Sequence, residues 1–111
     1  LRRAEPWRGT PVLASAMQAE FCRALGFEVS AVFGRPESLT PRELARLMAV
    51  PAELVVGNLQ SDQPSARALA VRRGLPEAVL SNFPGAPGYG TTYCDWVQSN
   101  LDQLEQAWRK R

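Results

Sequence analysis

Thr40-Pro41-Arg42-Glu43-Leu44-Ala45-Arg46-Leu47-Met48-Ala49-Val50-Pro51-Ala52-Glu53-Leu54-Val55-Val56-Gly57-Asn58 holds one complete helix-to-strand unit. Thr40 supplies a hydroxyl to cap the helix, Pro41 fits its first turn, and Glu43 stands three residues after the cap. Leu44, Leu47 and Met48 follow at the spacing of one apolar helix face, and the helix must close before Pro51. Leu54-Val55-Val56 then forms a short unbroken apolar strand that ends at Gly57-Asn58. A strand without polar alternation is covered on both faces, which is the habit of parallel sheets.

The same rhythm extends in both directions. Downstream, a helix starting near Asp62 to Pro64 carries Ala66, Leu69 and Ala70 inward and stops at Gly74, before a strand at Ala78-Val79-Leu80. Upstream, Pro11-Val12-Leu13-Ala14 reads as a strand, and Met17, Phe21, Ala24 and Leu25 as the stripe of a helix ended by Gly26. Val29-Ser30-Ala31-Val32-Phe33 is the next strand, ending at Gly34. After a turn-rich stretch from Asn82 to Gly90 comes a long final helix, with Thr92 and Asp95 at its start. Its face carries Tyr93, Trp96, Val97, Asn100, Leu101, Leu104 and Trp108, an aromatic-rich stripe that reads as core. Four strand–helix units with right-handed crossovers predict a three-layer, Rossmann-like α/β lobe. Its four-stranded parallel sheet has the order 2-1-3-4, with helices on both faces.

With 111 residues, one core is the limit. Thirteen basic and eleven acidic side chains leave a net charge of +2, too little to argue for nucleic acid or an anionic membrane. The basic residues at Arg2, Arg3 and Arg8, and at Arg109, Lys110 and Arg111, read as solvated ends. No apolar run reaches the roughly 18 residues of a membrane span. Leu1-Arg2-Arg3-Ala4-Glu5-Pro6-Trp7 reads as the tail of an earlier segment, so residues 1–10 are expected to be linker and 11–111 a single lobe. Cys22 and Cys94 suit neither a zinc knuckle nor a C-x-x-C pair. Their spacing leaves two thiols or one disulfide open.

In open α/β sheets ligands collect beyond the C-terminal strand ends. Those ends offer Ser15 and Ala16, Gly34 and Arg35, Gly57 to Gln60, and Ser81 to Phe83. The rim is polar, and Arg35 is its only formal charge. Enzymatic readings fare poorly. The chain has no histidine, which excludes Ser–His and Cys–His catalysis within it. No Gly-x-Ser-x-Gly elbow and no phosphate loop ending in Gly-Lys-Ser/Thr is present. Gly85-Ala86-Pro87-Gly88-Tyr89-Gly90 has the wrong glycine spacing, and Pro87 removes a backbone donor. Glu20, Glu43, Asp95, Asp102 and Glu105 are scattered on helices and form no acid–base pair at the rim.

The order of the pieces from about Thr10 to Trp108 resembles the C-terminal lobe of the solute-binding proteins of metal-ion ABC importers, the zinc and manganese receptors. The likeness is carried by Leu25-Gly26-Phe27-Glu28-Val29, Leu39-Thr40-Pro41-Arg42-Glu43-Leu44-Ala45, Ser65-Ala66-Arg67-Ala68-Leu69-Ala70 and the closing helix from Tyr93 to Leu101. It implies a partner N-terminal lobe, an ABC permease and a place in the periplasm or on the outer face of the cytoplasmic membrane, with any anchoring through a lipid on a preceding N-terminus. It implies no enzymatic activity and no cofactor. The family's metal-holding histidine, glutamate and aspartate of this lobe fall at Ser15, Gly57 and Ser81, so all three are replaced. A solute held by Ser15, Gly57, Asn58, Gln60, Ser81 and Asn82 is then expected to be a metal chelate or a small polar molecule rather than a bare ion. An absent N-terminal lobe holding any metal alone, with this lobe as a lid, is a second reading. A protein-interaction module without a small ligand is a third. Export would also permit a Cys22–Cys94 bridge, since the first and last helices are expected on one sheet face.

Overall fold

The computed structural model describes residues 7–34, 40–60, 63–82, 85 and 92–111. Four strands, β1 (Pro11–Ser15), β2 (Glu28–Phe33), β3 (Leu54–Asn58) and β4 (Glu77–Leu80), alternate with helices α1 (Ala19–Ala24), α2 (Pro41–Ala49), α3 (Gln63–Arg73) and α4 (Tyr93–Arg109). The sheet is parallel throughout and ordered β2-β1-β3-β4, as the rhythm predicts. β1 and β3 are central. Every residue of β3 is buried, while the edge strand β4 alternates between buried and half-buried positions. That is why β3 reads as a continuous apolar run.

Pleating divides the strand side chains between two cores. Val12, Ala14, Leu54, Val56, Ala78 and Leu80 pack with α1 and α4 through Cys22, Leu101 and Leu104. Leu13, Ala31, Val55 and Phe33 pack with α2 and α3 through Leu47, Ala66 and Leu69. Trp7 is 1% exposed and lies 5.2 Å from the Phe27 ring, so residue 7 is packed into the lobe itself.

Thr40 Oγ1 accepts from Glu43 N–H at 3.1 Å, as the sequence leads one to expect. The Glu43 carboxylate turns back to the Thr40 hydroxyl, not to a backbone donor. Thr92 caps α4 through Asp95 N–H. At the end of α1, Gly26 has φ +97°, and the N–H groups of Gly26 and Phe27 return to the carbonyls of Arg23 and Cys22. This is the double bond pattern of a left-handed helix stop, and glycine adopts it without strain.

The phase of α1 differs from its sequence reading. Gln18 N–H bonds to Ser15 O and Met17 N–H to Ser15 Oγ, forming a turn that delays the helix to Ala19. Ala19, Cys22 and Leu25 therefore face the core, while Met17 is 58% exposed and Ala24 is also outside. α1 and α4 do cover one sheet face, but both cysteines are free thiols, Cys22 buried and Cys94 exposed. Burial pushes the Cys22 thiol up to about 12. Arg111 is no loose end: its guanidinium lies 4.3 Å from the Trp108 ring centroid and bonds Glu53 at 2.6 Å. Arg35 and most of the turn from Asn82 to Gly90 lie outside the described residues.

Candidate functional site

The C-terminal ends of β1, β3 and β4 lie side by side, because neighbouring strands are parallel and in close register. Ala14 pairs with Val56, and Asn58 with Leu80. Asn58 follows Leu54 and Val56 on the side of the sheet that carries α1 and α4. It is fully buried, with Oδ1 accepting from Gln60 N–H at 3.0 Å and Nδ2 donating to Asn82 Oδ1 at 2.6 Å. Gln60 reaches across to the next strand end. Its Nε2 donates to Ser81 Oγ at 2.8 Å, and its Oε1 accepts from Asn82 N–H at 2.9 Å.

Three residues not read from the sequence as site members complete the arrangement. Gln18, buried in the turn after β1, donates Nε2 to Asn82 Oδ1 at 2.9 Å. Asn100 of α4 clasps the Ser81 backbone, with Oδ1 accepting from Ser81 N–H at 3.0 Å and Nδ2 donating to its carbonyl at 3.1 Å. Trp96 Nε1 donates to the same carbonyl at 2.8 Å. An amide on the apolar face of α4 was the available signal for Asn100, because a buried carboxamide needs partners. Gln18 gave a weaker one, as a single polar residue just after a central strand.

Of the residues expected at the rim, Asn58, Gln60, Ser81 and Asn82 therefore form one bonded group. Ser15 adjoins it through its backbone, since its carbonyl takes the N–H of Gln18. Gly57 does not join. A Cβ placed on Gly57 would sit 2.5 Å from Ala66 Cβ, so this position faces α3 and its bareness lets that helix approach the sheet. The residue that β3 presents to the group is Asn58.

A cavity of about 300 Å³ opens beside this group between α1 and α4, lined among others by Gln18, Phe21, Ser81, Asn82, Trp96 and Asn100. Among the described residues, no ionisable side chain lines it. A larger groove of about 450 Å³ runs between α2 and α3 past Leu44, Pro64 and Leu69, with mostly apolar walls and no share in the amide group. Chemically, the rim can exchange hydrogen bonds with a neutral solute. The Ser15 and Ser81 hydroxyl oxygens each take an N–H donor, and Gly57 brings no side chain to the group. Among the described residues, no three His, Cys, Asp or Glu side chains cluster as a metal site would require.

No family model matches the chain, and no curated protein matches it by sequence. Solved structures do share its fold. The crystal structure of the laminin-binding protein of Streptococcus pyogenes superposes with a TM-score of 0.69 at 17% identity, over 96% of this chain and 44% of that one. A mutant structure of the laminin-binding adhesin of Streptococcus agalactiae gives 0.70 at 18% identity, over 96% and 43%. At such identities the likeness is one of fold. The chain spans less than half the length of either structure.

Proposed function

We propose that the chain is the C-terminal lobe of an extracytoplasmic solute-binding component of an ABC importer. It is built like the zinc and manganese receptors but offers amides and hydroxyls where those would offer ion-holding side chains. The observation that carries this reading is the uncharged, hydrogen-bonded group of Gln18, Asn58, Gln60, Ser81 and Asn82 at the strand ends, with a cavity beside it. Pockets at such ends are where open α/β sheets take ligands. An N-terminal lobe would close over the rim, a permease would receive the solute, and the site would lie in the periplasm or on the outer face of the membrane. No described helix is long and apolar enough to cross a membrane, which suits anchoring by a lipid elsewhere. The lobe binds and releases its solute, a metal chelate or another small polar molecule, without chemical change.

NMR of the side-chain amides tests this reading. A library of metal chelates and neutral solutes should contain members that shift the Gln18, Asn58 and Asn82 resonances at millimolar concentration. A library that leaves all of them unmoved contradicts it.

A protein-interaction module is the second reading. It is favoured by the bonds that Asn58, Gln60 and Ser81 make with one another, and by the two structures of like fold, a laminin-binding protein and a laminin-binding adhesin. Saturable binding of the chain to immobilised laminin, with the rim amide resonances silent toward every solute, would favour it.

A further inference from the structure

We infer that the cavity between α1 and α4 reads the edge of an uncharged cyclic amide, a ring that presents an N–H beside a C=O. This deepens the solute-binding reading and rests on it. One backbone atom beside the cavity has a fixed role. Gln60 N–H can only donate, so the Asn58 atom it meets at 3.0 Å is Oδ1. Asn58 therefore turns Nδ2 toward Asn82, and the Asn82 atom that receives it at 2.6 Å is Oδ1. Gln18 approaches that same oxygen at 2.9 Å and must do so with Nε2. One backbone donor thus sets the orientation of three carboxamides in succession.

What remains is an acceptor, Gln18 Oε1, and a donor, Asn82 Nδ2, on adjoining groups that both line the cavity. Among the described residues neither atom makes a further hydrogen bond. Gln18 is only 4% exposed, so its orientation is held by the fold rather than chosen by solvent. A ring amide answers this pair with complementary atoms, its N–H toward Gln18 and its C=O toward Asn82. Phe21 and Trp96 add aromatic walls for a flat ring, and Trp96 is pinned through Nε1 to Ser81 O. A charged solute would lose hydration here and meet no counter-charge from the described lining side chains.

Uracil is a suitable probe, titrated into the whole 111-residue chain while the Gln18 and Asn82 side-chain amide signals are followed. Three comparison probes are 1,3-dimethyluracil, whose ring N–H groups are blocked, orotate, which adds a carboxylate, and zinc chloride. Uracil is expected to shift both signals saturably, with dimethyluracil and orotate at least ten-fold weaker and zinc without effect. Asn82→Asp keeps acceptor oxygens for Gln18 and Asn58 but loses the Nδ2 donor, and should weaken uracil at least ten-fold. The comparison of uracil with dimethyluracil on the unaltered chain decides the matter even if that variant does not fold. Equal binding of those two, or tighter binding of orotate or zinc, overturns the inference while leaving a solute-binding lobe. Silence toward every solute overturns both.

Discussion

The two ends of β4 solve opposite electrostatic problems. Beyond its C-terminal end, Ser81 and Asn82 enter a group of neutral amides and hydroxyls. At its first residue, the carboxylate of Glu77 is set against α3, with Arg67 at 3.5 Å and Oε2 buried and, among the described residues, without a hydrogen bond. Burial raises the Glu77 pKa, and the nearby Arg67 guanidinium only partly opposes that. Charge is thus tolerated at a cost at the first residue of β4, while the group of Gln18, Asn58, Gln60, Ser81 and Asn82 contains no ionisable side chain. A group of neutral carboxamides is cheap to keep rigid, since each one both donates and accepts.

The sharpest way to break this comparison is at Asn58. Asn58→Leu deprives Gln60 N–H and Asn82 Oδ1 of a buried partner and should cost about 2–3 kcal/mol in urea denaturation. It should also free the Gln18 and Asn82 amide orientations, visible as collapsed side-chain dispersion by NMR. Next in size is Gly57→Ala, whose methyl would press on Ala66. Overpacking of this kind predicts a loss of about 1–3 kcal/mol with the rim amide signals little changed. A rim that collapsed with it would mean the two faces are not independent.

Glu77→Gln addresses the charged end. Because the folded carboxyl holds its proton more tightly than an unfolded one near 4.5, its contribution is fully present below that pH and is lost as pH rises through the raised value. The variant should therefore show a flatter stability profile between acidic and neutral pH, measured by urea midpoints. An unchanged slope would contradict the burial of this group. Smallest is Arg111→Ala, remote from both ends, which should cost less than about 1 kcal/mol, and less again in high salt.

Much of the architecture was legible because local signals agreed. The Thr40–Glu43 cap, the apolar run of β3 and the Gly26 stop each point to the same parallel sheet. The phase of α1 was not, since Met17 and Phe21 keep helical spacing while a turn at Ser15 shifts which residues face inward. At the rim, Asn58, Gln60, Ser81 and Asn82 could be placed from strand ends alone. Gly57 could not, because pleat parity and the closeness of Ala66 decide its role. Gln18 and Asn100 stayed hidden because the partners of a buried amide come from elements far apart in sequence.

We propose that neutral amides and hydroxyls occupy the strand ends where a metal receptor would place ion-holding groups. Calorimetric titration of the chain with zinc and with manganese at neutral pH tests it most directly. No sub-micromolar binding of either metal is expected. A tight, stoichiometric heat for either one, abolished by replacing Ser15 or Ser81 with alanine, would contradict it.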